Sequence, residues 1–314
     1  MQLDPLAQAF LDQLAAVPRP KLWDLPPAAA RQGFAAMMTL AGPKDVPIGK
    51  IENKSIPGPD ADIRLRVYTP VAAGGEALPA VVFFHGGGFV LGDLDSHDGL
   101  CRILAAQSGA RVIAVDYRLA PEHKFPAAAE DAFAAVCWVE KNAVDLGIDA
   151  NRIAVAGDSA GGNLAAVVCQ GAKSEAGPKI AAQLLMFPMA QFGGMFASLR
   201  QFATGNFLDK SEIDWFYGTY LPPGTDPNDP RLSPLLAEDL SALPPAYVML
   251  AGCDPLHDEG LAYAEKLREA GVEATVADYP GMLHGFVSLQ AVLPQAHVAL
   301  SDAAKSLRRM LDAE

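Results

Sequence analysis

Cysteine is scarce and scattered. The four residues of this type, Cys101, Cys137, Cys169 and Cys253, show no C-x-x-C spacing, which excludes a zinc ribbon or a dithiol redox centre. Three lie in apolar runs of helical texture and the fourth follows a strand-like run, so buried thiols in a reducing compartment are expected. Basic charge is also in short supply: 24 Lys and Arg stand against 37 Asp and Glu, a net −13, and no basic cluster offsets it. A field of that sign excludes nucleic acid and anionic membrane surfaces as natural partners. No apolar run approaches the length of a membrane span. The opening residues Met1-Gln-Leu-Asp-Pro5 lack the basic and apolar regions of a signal peptide, and the expected location is cytoplasmic. Internal repeats and low-complexity tracts are absent.

The chain does have a large apolar content, 51% of 314 residues, enough for a sizeable core. Ile63-Arg-Leu-Arg-Val-Tyr68 alternates as a half-exposed antiparallel strand does. The later runs, at 80–84, 112–115, 153–156, 182–187, 247–250 and 274–277, are continuously apolar, as strands covered on both faces are. Helical stretches alternate with them at 99–107, 127–141, 162–173, 259–270 and 294–311. This pattern predicts an α/β fold with a mostly parallel central sheet covered by helices. Residues 1–50 carry two helical patterns around a proline-rich stretch. The alternation weakens between 191 and 230, where Phe192, Phe196, Phe202, Phe207, Trp215, Phe216, Tyr217 and Tyr220 crowd together. Exposed aromatics beside a sheet suggest a lid over a pocket; anchoring of peripheral helices explains them equally well.

The chemistry centres on Gly157-Asp158-Ser159-Ala160-Gly161, set between a strand-like run and a helical one. Gly-x-Ser-x-Gly at a strand-to-helix turn is a nucleophile elbow, in which flanking glycines let strand and helix approach around a strained serine. A serine nucleophile needs a base, an acid to orient it, and donors for an oxyanion. Asp254 and His284 follow Ser159 in the order Ser, Asp, His, each just past the end of a predicted parallel strand, where open α/β sheets place their sites. Asp258 is the rival acid, although its place before the next helical run suits an N-cap. His97, His123, His257 and His297 lie in polar or helical contexts and read as structural or exposed. His85-Gly-Gly-Gly88 follows the strand at 80–84, and three residues without Cβ let backbone N–H groups approach a developing alkoxide. The N–H of Ala160 is the further donor, and His85 reads as a support for this loop.

These motifs, with Asp116-Tyr-Arg-Leu-Ala-Pro-Glu122, Ser233-Pro-Leu235, Asp254-Pro-Leu-His-Asp-Glu-Gly260 and His284-Gly-Phe286, resemble those of the hormone-sensitive-lipase-like (family IV) bacterial esterases, in the same order. The resemblance covers roughly residues 63 to 290. It implies an α/β-hydrolase fold with a helical cap: cap helices in 1–50, a catalytic domain in 51–190 and 231–314, and an inserted cap segment in 191–230. It implies Ser159 as nucleophile, His284 as base, Asp254 as its partner, and Gly87, Gly88 and Ala160 as oxyanion donors, with no metal or cofactor. The implied activity is hydrolysis of short- to medium-chain acyl esters through an acyl-enzyme, on a small-molecule ester substrate. An amidase or lactonase would use the same triad. A non-catalytic binder on this fold would be expected to have lost the histidine, and a thiol hydrolase at Cys253 would leave the elbow and hole without purpose. By analogy with relatives, a homodimer joined through a sheet edge or helix is expected.

Overall fold

Five of the continuous apolar runs become inner strands of one eight-stranded sheet, and the sixth, at 274–277, becomes a partly exposed edge strand, in the computed structural model, which describes every residue except 1, 19, 44, 72, 75 and 314. Two helices come first, α1 (Pro5–Ala16) and α2 (Pro27–Ala41). Both open on proline, whose missing N–H is harmless in a first turn. The sheet follows, running β1 (Lys50–Ile56), β2 (Ile63–Thr69), β3 (Leu78–Phe84), α3 (Asp98–Ser108), β4 (Arg111–Asp116), α4 (Ala127–Lys141), the single turn α5 (Ala143–Leu146), β5 (Ile148–Asp158), α6 (Ala160–Ser174) and β6 (Ala182–Met186). Two short helices, α7 (Ala197–Gln201) and α8 (Lys210–Tyr220), precede β7 (Ala246–Cys253), α9 (His257–Glu269), β8 (Ala274–Leu283) and α10 (Pro294–Leu311).

The strand order is β1-β2-β4-β3-β5-β6-β7-β8. β2 is antiparallel to both β1 and β4, as its alternation predicts, and every other pair is parallel. The edge strand β1, Lys-Ile-Glu-Asn-Lys-Ser-Ile, is too polar to stand out in the sequence; its ladder with β2, from Lys50 opposite Thr69 to Ile56 opposite Ile63, makes it a strand. The chain leaves β3 for β4 on one side and returns to β5 on the other. That reversal opens a crevice at the carboxyl ends of β3 and β5.

Side chains alternate between two cores. Val82, Phe84, Ile153 and Val155 face the layer of α4, α6 and α9, while Val81, Phe83, Ala154 and Ala156 face α3 and α10. Both faces are therefore dry, which explains why the strands read as unbroken apolar runs. The aromatics between 191 and 230 differ from expectation, because none is exposed. Phe192 and Tyr220 are buried, Tyr220 stacks on Phe89 at 4.1 Å between ring centroids, and Phe192 packs on Tyr217 at 4.4 Å. Stacking of these rings on the sheet's own loops removes from water the surface that the sequence leaves unassigned.

Candidate active site

β5 ends at Asp158 and α6 starts at Ala160, leaving Ser159 alone in the turn with φ 56° and ψ −117°. A non-glycine residue there is strained, and the surroundings hold it: Ser159 N–H donates to Met186 O at 2.9 Å, while its carbonyl accepts from Asn163 N–H at 3.0 Å. A Cβ on Gly157 would strike the Gly161 carbonyl group, and one on Gly161 would strike the Phe84 carbonyl. The two glycines are thus required by close approach of three backbone segments.

His284 stands in the turn after β8, followed by Gly285 in the left-handed region at φ 73°. Its Nε2 lies 2.9 Å from Ser159 Oγ and its Nδ1 lies 2.7 Å from Asp254 Oδ2. A carboxylate can only accept, so Nδ1 carries the proton and Nε2 presents its lone pair to the serine hydroxyl. Asp254, fully buried after β7, also accepts Leu256 N–H on Oδ1 at 2.8 Å. Phe187 and His284 pack edge to face, 5.0 Å between centroids.

Asp258 does not reach the histidine. α9 begins at His257, so Asp258 lies inside its first turn instead of capping it. Its carboxylate accepts Ser198 N–H at 2.8 Å and approaches His257 Nδ1 at 3.0 Å, which ties α9 to α7. That environment holds it below the usual aspartate range: burial opposes the shift, but His257 and Ser198 outweigh it.

The loop after β3 carries three successive residues with positive φ, Gly87 at 114°, Gly88 at 62° and Phe89 at 61°. Gly86 N–H donates to Asp158 Oδ1 at 2.9 Å, which fixes the loop's first peptide to the residue before Ser159. The Asp116-to-Glu122 segment wraps the loop from outside. Tyr117 stacks on His85 at 4.3 Å and donates to the His85 carbonyl at 2.7 Å, and Ala120 N–H donates to Phe89 O at 2.9 Å. His85 supports the loop, as expected: its Nδ1 meets Gly86 O at 2.8 Å. Burial, reinforced by nearby His97, pushes its pKa down to about 4, so the ring is neutral at pH 7.

Two features escaped sequence reasoning. His97, read from the sequence as structural or exposed, is structural: it is buried, its Nε2 3.5 Å from Asp158 Oδ1 and its Nδ1 2.9 Å from Ser96 Oγ, contacts that no spacing announces. Burial alone would raise the pKa of Asp158; His97, His85 and Gly86 N–H overcome that and lower it. Glu259, from the Asp254-to-Gly260 motif, is buried beneath the site and accepts Ala190 N–H at 2.7 Å. Burial drives its pKa up to about 8 against those backbone donors, with the Asp254 charge adding to the rise.

Ser159, His284, Gly87, Gly88 and Ala160 line one cavity of about 980 Å³. Leu14 from α1, Trp23 from the turn between the N-terminal helices, Phe34 and Met37 from α2, and Ile213 and Phe216 from α8 are among the residues of its walls. Phe216 lies so close above Gly88 that any Cβ there would meet its ring. No helix among the described residues is long and apolar enough to cross a membrane.

Comparison with known proteins fits this architecture. The family model for the alpha/beta hydrolase fold matches residues 81–288. The carboxylesterase NlhH of Mycobacterium tuberculosis is 43% identical over 277 residues, 86% of each chain. The carboxylic ester hydrolase LipN of the same organism is 49% identical over 245 residues, 76% of this chain, although the match spans 65% of LipN, just under two thirds of its length. An ester hydrolase from the Lake Arreo metagenome, solved with a bipyridine phosphonate derivative, superimposes with a TM-score of 0.97 at 43% identity, covering 99% of this chain and all of the other. The chain belongs to the α/β-hydrolase fold family and, within it, to the hormone-sensitive-lipase-like esterases.

Proposed function

We propose that this ester hydrolase is a serine carboxylesterase that cleaves short- to medium-chain acyl esters through an acyl-enzyme. The observation that carries the reading is the hydrogen-bonded chain Ser159 Oγ, His284 Nε2, His284 Nδ1, Asp254 Oδ2, set in the wall of the large cavity. In the first half-reaction His284 takes the Ser159 proton as Oγ bonds to the ester carbonyl carbon, and the carbonyl oxygen becomes an alkoxide. The N–H groups of Gly87, Gly88 and Ala160 hold that oxygen, Ala160 with the positive end of α6 behind it. Removing one such donor costs about 3 kcal/mol of barrier in measured oxyanion holes. The alkoxide collapses, the alcohol departs with the proton from His284, and the acyl group stays on Ser159. A water molecule then gives its proton to His284, attacks the acyl carbon, and releases the acid with Ser159 reprotonated.

Residues 1–50 and 191–230 act as the cap in this reading, because both supply apolar walls to the cavity. A volume of about 980 Å³ is at the upper end for small-molecule sites, which suits an acyl chain and an alcohol of modest size. Aromatic closure by Trp23, Phe34 and Phe216 disfavours long, flexible chains. The decisive experiment is a p-nitrophenyl ester series from acetate to palmitate with wild type and Ser159→Ala. Turnover is expected to peak at short or medium chains and to vanish in the variant. Best turnover of the palmitate, or retained activity without the Ser159 hydroxyl, overturns the proposal.

A further inference from the structure

We propose that Arg31, on the N-terminal helix α2, is a positioning residue that holds the oxyanion loop in its working shape. The inference rests on the reading of Gly87 and Gly88 as oxyanion donors. Its guanidinium faces the loop from outside the sheet. Nε donates to Val90 O at 2.8 Å, Nη2 donates to Ala120 O at 2.8 Å, and the two Nη atoms grip Glu122 at 3.0 and 2.6 Å. One side chain from the first helices thus reaches both the Gly-rich loop and the segment that wraps it.

The loop needs such a tie. Gly87, Gly88 and Phe89 all have positive φ, and at Phe89, which carries a Cβ, that conformation is strained. Strained backbone persists only where its surroundings over-determine it. The Phe89–Val90 stretch is held on two sides: Phe89 O by Ala120 N–H at 2.9 Å, and Val90 O by Arg31. Val90 and Leu91 N–H in turn donate to Gly87 O at 3.1 and 2.8 Å, so displacement of Val90 moves the Gly87–Gly88 peptide directly. The planar fork of arginine matches this set of acceptors; an ammonium has no fixed fork to bridge Val90 O and Ala120 O. Glu122 orients the fork from its other edge, and Arg31 in return draws the Glu122 carboxyl below the usual glutamate range. Arg31 does not line the cavity, so its effect on catalysis passes through the loop.

The test compares wild type, Arg31→Ala and Arg31→Lys on p-nitrophenyl acetate, with amide hydrogen exchange across residues 86–91. A donor that serves only the transition state changes kcat and leaves substrate binding alone. Arg31→Ala is expected to lower kcat by about 10- to 100-fold, short of the loss of a whole donor, with KM changing less than about threefold. Exchange across 86–91 should rise in parallel. Arg31→Lys should fall between, and it carries the test if the alanine variant does not fold. Unchanged kcat and unchanged loop exchange at a temperature where the variants are folded overturn the inference and leave Arg31 as a stability staple. Equal kcat for Arg31→Lys and wild type overturns the fork argument. The esterase reading is judged separately, by wild-type turnover and its loss in Ser159→Ala.

Discussion

Replacing Asp254 by asparagine should disable the site while leaving the fold intact, and the reason lies in which atoms the carboxylate serves. Oδ1 accepts Leu256 N–H at 2.8 Å, and Oδ2 accepts the His284 Nδ1 proton at 2.7 Å. An asparagine amide has one oxygen for these two donors. If its oxygen turns to His284, its NH2 group faces Leu256 N–H and a buried donor is left without an acceptor, at about 1–3 kcal/mol. The oxygen therefore stays with Leu256, and the NH2 group points at His284 Nδ1. Imidazole then carries its proton on Nε2, directed at Ser159 Oγ, and has no lone pair with which to take the serine proton. The same tautomer inversion in a serine protease lowers kcat about 10⁴-fold, or about 5 kcal/mol of barrier. The assay is p-nitrophenol release from the acetate at pH 7, with thermal melting to show that the isosteric variant is folded. Asp258→Asn serves as the control, because its carboxylate binds Ser198 and His257 and should change the rate by less than about threefold. A loss below tenfold in Asp254→Asn, or a larger loss in Asp258→Asn, refutes the reasoning and moves the acid to the other carboxylate.

Two further predictions concern the frame around the site. Glu259 titrates near 8 in the folded protein because burial favours its neutral form, so between its unfolded value of about 4.5 and 8 the native state binds the extra proton. Its contribution is present at low pH and declines as pH rises through that window. Glu259→Gln keeps an acceptor for Ala190 N–H, so its melting temperature should exceed that of wild type at pH 8 and converge with it near pH 5; a gap independent of pH refutes the assignment. Gly161→Ala drives a methyl into the carbonyls of Phe84 and His85, backbone atoms that cannot step aside. Overpacking of this kind costs about 3 kcal/mol and should lower Tm by at least about 5 °C. An unchanged Tm would mean that strand and helix can separate at the elbow without penalty.

The fold was legible where burial leaves a simple pattern. The apolar runs of β3 to β7 have water on neither face, so hydrophobicity alone marks them, whereas β8 at the sheet edge leaves Thr275 and Asp278 exposed. β1 was not legible, since Lys50, Glu52 and Lys54 look like loop residues until β2 supplies the ladder. The inward turn of Phe192, Phe216 and Tyr220 was equally hidden, because their partners lie in segments remote in the chain: Phe89 for Tyr220, and the Gly88 backbone for Phe216.

The candidate triad divides along the same physical line. Ser159, Asp254 and His284 each stand just past a parallel strand, and parallel strands bring their carboxyl ends to one rim, so order along the chain becomes proximity in space. Lateral supports obey no such rule. His97 meets Asp158, Arg31 meets Val90, and Glu259 meets Ala190 only through the packing of particular helices and loops, and no spacing in the sequence encodes those encounters. In the proposed reading, these contacts hold the turn at Ser159 and the loop at Gly87 and Gly88 in backbone conformations that neither segment would keep by itself. An enzyme with the same motifs and a weaker lateral frame would keep its nucleophile, base and acid but lose the alignment of its oxyanion donors. Variation in rate among such chains should therefore track the residues around the motifs more closely than the motifs themselves.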